Sequence, residues 1–238
     1  MRLAIETATD RASVALGASA GTAVERDLSG ARRHAAELLP MIAALLREAG
    51  ARLEDVTALV LSDGPGSFTG LRVGASVAKA LVQARALPLW TAPSLMVRAS
   101  GVARPGATVL AVADALRGEL YAAAYRFEGG AVHTVLPPSV HPPDRLVAGS
   151  LRPDVLVGEV PDSAVAALER WAGSALIAPP EGAPRARELL GLVGRPGGAV
   201  RIDAVQGWEP VYGRPAEAQA RWETAHGRPL SDSIGSPR

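Results

Sequence analysis

One pattern occurs twice in the chain, about 107 positions apart, and it limits the possible architecture more than any composition figure. Residues 2–6, RLAIE, form a short apolar run ending in an acid; TATD turns, RASVALGAS alternates, and GTAVERDL resumes after a glycine. Alternation with period two marks strands, and polar or Gly breaks mark the turns between them. In the second copy TVLAVAD ends in Asp114, ALRG turns, ELYAAAYRFE extends, Gly129 and Gly130 turn again, and AVHTVLP follows. Identity between the copies is low, but the order is the same, which predicts a duplicated unit.

Each copy continues with helices and strands in turn. RRHAAELLPMIAALLREAG predicts a helix stopped at Gly50; Pro40 lies inside it unless the helix starts later than drawn. VTALVLSDG reads as a buried strand, residues 70–84 as a helix and LPLWTAPS as a further strand. In the second copy DVLVGEV is a strand, Asp162 or Ser163 caps the helix AVAALERWAG, ALIAPP is a short strand and PRARELLGLVGR a last helix. A meander followed by this alternation predicts α/β lobes with mixed sheets flanked by helices. SGVARPG, residues 100–106, reads as the link, so we expect an N-terminal lobe over 1–103 and a related lobe over 104–215. A Gly-, Pro- and Arg-rich tail over 216–238 is expected to be only partly ordered.

The stretch SDGPGSFTGLRVGASVAKALV, residues 62–82, places glycines and a proline between a strand and a helix. It is not a Walker loop, because the only lysine, Lys79, lies deep in the helix. Gly64, Gly66 and Gly70 miss the dinucleotide spacing by one residue, and no acid lies between positions 64 and 113 to hold a ribose. Ser67 does not stand in the Gly-x-Ser-x-Gly frame of a nucleophile elbow. What remains is a tight turn, Gly64, Gly66, Ser67, Phe68 and Thr69, feeding a helix capped by Ser67 or Thr69.

That helix carries Gly70, Gly74 and Ala78 on one face, a stripe that admits a close neighbour. The neighbour is either the chain's own sheet or a second protein, with Leu71, Ala75 and Val82 turned inward in the latter case. The preceding helix has a broad apolar arc, Leu38, Ile42 and Leu45 beside Leu39 and Leu46, widened by Met41. Arg72, ill-placed for the helix dipole, reads as an ordinary solvated arginine or as the partner of Asp63 or of a second protein's carboxylate.

Together, LAIETAT…ASVAL, HAAELLPMI, GPGSFTGLRVGASVAKAL and DALRGELYAAAY resemble the TsaB (YeaZ) family of tRNA threonylcarbamoyladenosine modification proteins, over roughly residues 1–130. PVYGRP, residues 210–215, is similar to a Pro-Tyr-Arg element near the family's C-terminus, with Gly213 where a larger apolar residue is usual. The resemblance implies an actin-like fold of two related lobes. It implies a noncatalytic subunit that binds and activates TsaD, the enzyme acting on adenosine 37, with the ATPase TsaE in the larger assembly. The contact, and a homodimer through the same surface, are expected on the first-lobe helices: Leu38, Leu39, Ile42, Leu46, Gly70, Leu71, Arg72, Gly74 and Ala78. tRNA is expected to be met only indirectly.

Twenty-five basic and 24 acidic residues argue against a nonspecific nucleic-acid grip. The lack of cysteine excludes disulfides, thiolate catalysis and cysteine-ligated metals. His34, His133, His141 and His226 show no metal-ligand spacing and read as surface or capping residues. Glu6 and Asp114 end strands, where acids commonly cap turns. No cofactor motif is present. With no apolar run near the roughly 20 residues of a membrane span, and no signal-peptide pattern at MRLAIETATD, a soluble cytoplasmic protein is expected. The rival reading is an autonomous hydrolase of the same fold, glycoprotease-like or acting on nucleotides.

Overall fold

The computed structural model describes residues 1–30 and 33–213, and His226. The first copy of the repeat runs β1 (Arg2–Glu6), β2 (Arg11–Gly17), β3 (Val24–Ser29), α1 (His34–Glu48), β4 (Ala58–Ser62), α2 (Phe68–Arg85), β5 (Leu89–Ala92) and α3 (Ser94–Ser100). The second repeats that order: β6 (Thr108–Asp114), β7 (Leu120–Glu128), β8 (Ala131–His141), α4 (Pro143–Ala148), β9 (Val155–Gly158), α5 (Asp162–Ala172), β10 (Leu176–Ile177) and α6 (Ala186–Leu192). A last strand, β11 (Val200–Ile202), follows. The sheets run β11-β5-β4-β1-β2-β3 and β10-β9-β6-β7-β8, so the duplicated topology holds strand for strand. In each, a three-stranded antiparallel meander continues into parallel pairs, β1 with β4 and β6 with β9.

Strand alternation sorts the core into layers. Leu3 and Ile5 of β1 and Leu59 and Leu61 of β4 point to α1 and α2, joined by Leu38, Ile42 and Leu45. Leu110 and Val112 of β6 point to the corresponding side of the second sheet, with Leu146 of α4 and Leu168 of α5. The opposite faces, Ala4 and Val60 on one sheet and Val109 and Ala111 on the other, meet in a shared central core. The third helix of each copy fills that core and is exchanged: α3 packs on β6 and β7, and α6 on β1 and β2. Sequence reading placed a linker near α3 and missed the helix. All of Ser94 to Ala99 is buried, so no amphipathic period betrays it.

Pro40 lies inside α1, and Gly50 just past its end takes a positive φ of 61°. α2 begins two residues earlier than predicted, with Ser67 as its cap: the Gly70 amide donates to Ser67 Oγ at 3.2 Å. Asp162 does not cap α5 but is its first helical residue, following Pro161. α4 and β11 were not anticipated. The tail over 216–238 lies outside the described residues, apart from His226.

Candidate functional site

The glycine turn sits where four parts of the chain converge. Ser67 N–H donates to Ala8 O at 2.7 Å; Ser94 N–H donates to Gly64 O at 2.7 Å, and Gly64 N–H returns a bond to Ser94 Oγ at 3.1 Å. The C-terminal strap closes the ring, Val211 N–H donating to Asp63 O at 2.7 Å. Glycine is required here by space. A Cβ on Gly64 (φ 109°) would fall 2.1 Å from Val211 O, and one on Gly66 2.3 Å from Ala8 O. The amides of Gly64, Ser67, Gly70 and Leu71 are all spent inside the chain and are not free to cradle a phosphate.

The small-residue stripe faces inward. A Cβ on Gly70 would lie 2.0 Å from Thr7 O, and one on Gly74 2.4 Å from Thr7 Oγ1, while Ala78 is wholly buried. The close neighbour it admits is thus the turn after β1, and the expectation that Gly70, Gly74 and Ala78 present themselves to a second protein is corrected. Leu71 is buried on Ala8 and Tyr212. The apolar arc of α1 is mostly enclosed as well: Leu38, Ile42 and Leu46 are buried, and of the row only Leu39 stands out, 55% exposed.

An outer face remains open. Ala36, Leu39, Pro40 and Ala43 of α1 are exposed, as are Thr69, Arg72, Ser76 and Ala80 of α2, and the two helices pack side by side. At one end of this face Arg72 makes no ion pair with Asp63, which removes one of the readings open for it. Its guanidinium lies over the Phe68 ring at 4.1 Å and 5.8 Å from the Tyr212 ring centre, with the two rings 4.6 Å apart. Gly213 (φ 72°) lets the strap turn here, since a Cβ would come 2.6 Å from the Tyr121 ring. Further along, Lys79 bonds Glu209 at 2.8 Å and lies near the Trp208 ring, so the strap runs down one flank of α2.

Behind the turn lies a buried polar cluster. Glu6 Oε1 accepts the Ala8 amide at 2.6 Å, and Asp114 Oδ1 accepts the Leu116 amide at 2.7 Å in the other copy, so both acids cap turns as the repeat predicts. Their surroundings differ. Asp114 is exposed, whereas Glu6 is wholly buried, and burial pushes its pKa up to about 7 against the smaller pull of Ser62, the Ala8 amide and Arg98. Asp63 is pushed by burial up to about 6, with Thr91 opposing. Arg98 of α3, itself buried, donates to Val112 O at 3.0 Å and lies 3.5 Å from Glu159, tying the cluster to the second sheet. Glu6 Oε2 and the hydroxyls of Thr7 and Ser62 have no well-formed bond among the described residues. His34, read as a surface or capping residue, is buried, with Nε2 3.2 Å from Asp10 O. Among the described residues no group of acids and histidines is arranged to hold a metal, and no helix is long and apolar enough to cross a membrane.

Two related lobes, each a mixed sheet with exchanged third helices, define a two-lobed actin-like protein. A protein-family model described as TsaD, tRNA N6-adenosine threonylcarbamoyltransferase, matches residues 29–164. The solved structure described as YeaZ from Pseudomonas aeruginosa is 33% identical, with a TM-score of 0.67 over 81% of this chain and 90% of that one. A second, described as an uncharacterized protein with similarity to peptidase YeaZ from Pseudomonas aeruginosa, is 31% identical, with a TM-score of 0.71 over 90% of this chain and 99% of that one. The tRNA threonylcarbamoyladenosine biosynthesis protein TsaB of Escherichia coli K12 is 42% identical over 134 residues, 55% of this chain and 58% of the relative. That of Bacillus subtilis is 28% identical over 44% of this chain and 46% of the relative. The chain spans about half the length of the curated relatives it matches. It belongs to the TsaB (YeaZ) family.

Proposed function

We propose that this chain serves threonylcarbamoyladenosine formation in tRNA as a noncatalytic subunit, binding a TsaD-type enzyme through the outer face of α1 and α2. The observation that carries the reading is that face itself. Ala36, Ala43, Ser76 and Ala80 let another helix approach closely, Leu39 offers an apolar anchor, and the Arg72–Phe68–Tyr212 stack supplies a rigid, amphipathic end. The buried residues of the two helices, Leu38, Ile42, Leu46, Gly70, Leu71, Gly74 and Ala78, act by holding this surface in shape. Self-association through the same face and a TsaE-type ATPase in the larger assembly belong to the same reading.

A hydrolase reading finds less support. Glu6 and Asp63 are acids with raised pKa values, but Glu6 lies sealed in the core beside Arg98 with no route for a substrate.

The test is copurification of the chain with its TsaD homologue, followed by assay with TsaE, ATP, bicarbonate, threonine and tRNA. Leu39→Asp is expected to abolish copurification and leave the unfolding midpoint unchanged. Turnover by the chain alone would overturn the noncatalytic reading, and unimpaired binding by the variant would overturn the interface.

A further inference from the structure

The helices at equivalent places in the two copies are unequal. α1 has 15 residues and covers its sheet, whereas α4 has six. The short α4 leaves part of the corresponding face of the second sheet open as a groove of about 510 Å³, floored by Leu136 and Leu146. Four basic side chains line it: Arg126, His141, Arg145 and Arg152, with no carboxylate among the lining residues.

Two of these are held in place. Arg126 donates through Nε and Nη2 to Thr108 Oγ1 at 3.4 and 3.1 Å, and Arg152 Nη1 donates to Gly149 O and Leu151 O at 2.9 and 2.7 Å. Neither arginine is paired with an acid. The exposed Asp154 carboxylate adjoins the groove through Thr108, whose amide donates to it at 2.7 Å, and forms no ion pair with the groove's arginines. The side chain of Arg145 has no bond to any described residue. Guanidinium groups that are clustered and not ion-paired recognise phosphate.

Arg126 and His141 stand near opposite ends of β7, since His141 pairs with Leu120. Six residues of strand separate those ends by about 20 Å, a span that one phosphate group cannot bridge and successive phosphates of a polynucleotide can. The near-zero net charge that argued against nucleic-acid contact averages over the chain and conceals this concentration.

We propose that the α4 groove binds the phosphate backbone of tRNA, giving this subunit an RNA contact of its own on the lobe that does not carry the α1–α2 face. The choice of RNA rests on the proposed function above; the recognition of a polyanion rests on the groove.

The test compares the full-length chain, the triple variant Arg126→Gln/Arg145→Gln/Arg152→Gln, and the charge-matched control Arg52→Gln/Arg85→Gln/Arg201→Gln, titrating unmodified tRNA across a salt series. The groove variant is expected to bind about tenfold more weakly at low salt, with a log–log salt slope shallower by about two, because three phosphate contacts are lost. The control is expected to bind like the parent. Equal binding by groove variant and control, or no tRNA binding by the parent chain, would overturn the proposal. So would a loss confined to phosphatidylglycerol vesicles, an acidic peptide or inorganic phosphate while tRNA affinity stays intact. Copurification with TsaD is read on the same proteins: a groove variant that keeps TsaD and loses tRNA affinity separates this inference from the interface above.

Discussion

The Arg72 guanidinium rests 4.1 Å above the centre of the Phe68 ring, one turn back on α2, while Tyr212 from the C-terminal strap packs against the same ring at 4.6 Å. The first-turn arginine therefore needs no acid from its own chain: an aromatic face holds it instead. Arg72→Glu is expected to remove the stack and weaken TsaD copurification at least tenfold. Because Arg72 is exposed, denaturant unfolding should show a loss of no more than about 1 kcal/mol. A larger loss would mean the stack mainly holds the strap.

Tyr212 is buried and offers its carbonyl to the Tyr121 hydroxyl at 3.3 Å, so it anchors the strap to both copies of the repeat. Tyr212→Ala is expected to destabilise the chain by about 3 kcal/mol, the usual cost of emptying a large core position. Urea unfolding measures it. Tyr212→Phe keeps the ring and the backbone carbonyl and should cost under about 1 kcal/mol.

Gly74→Leu separates the two readings of the small-residue stripe. With Thr7 Oγ1 2.4 Å from where its Cβ would sit, and the Leu61 side chain 3.3 Å away, the substitution must push α2 off the sheet. A collapse of the unfolding midpoint is expected. An unchanged midpoint with lost TsaD binding would restore the stripe to the interface.

Glu6 and Asp63 make stability depend on pH with a definite sign. Their folded pKa values, about 7 and about 6, exceed their ordinary values of 4.5 and 3.8. Between those limits the folded chain therefore binds protons that the unfolded chain has released. Stability is highest below about pH 4 as far as these groups are concerned, and is lost as pH rises toward 7. Glu6→Gln keeps the acceptor for the Ala8 amide and removes the ionisation. It is expected to flatten the decline and to gain up to ~3 kcal/mol over the parent at pH 8. A parent chain equally stable at pH 5 and pH 8 would contradict this.

The duplicated order was legible in the sequence because alternation and glycine breaks are local, and so were the turn-capping roles of Glu6 and Asp114. The orientation of Gly70, Gly74 and Ala78 was not, since small residues fit an own sheet and a foreign helix equally well; only the position of Thr7 decides. Arg72, Phe68 and Tyr212 were invisible as a unit because the strap that brings Tyr212 lies far along the chain. The arginines of the α4 groove were hidden in the same way by a balanced total charge, and by a helix too short for periodicity to reveal.

β11 pairs with β5, and the strap beyond it reaches back to Asp63 and Phe68. The amino-terminal lobe is thus finished by residues translated after the whole carboxy-terminal lobe. During synthesis β5 can pair with β4, but its outer edge stays open, and the α2 flank uncovered, until β11 and the strap leave the ribosome. A chain that ended at the second repeat would leave the first one unsealed along this edge.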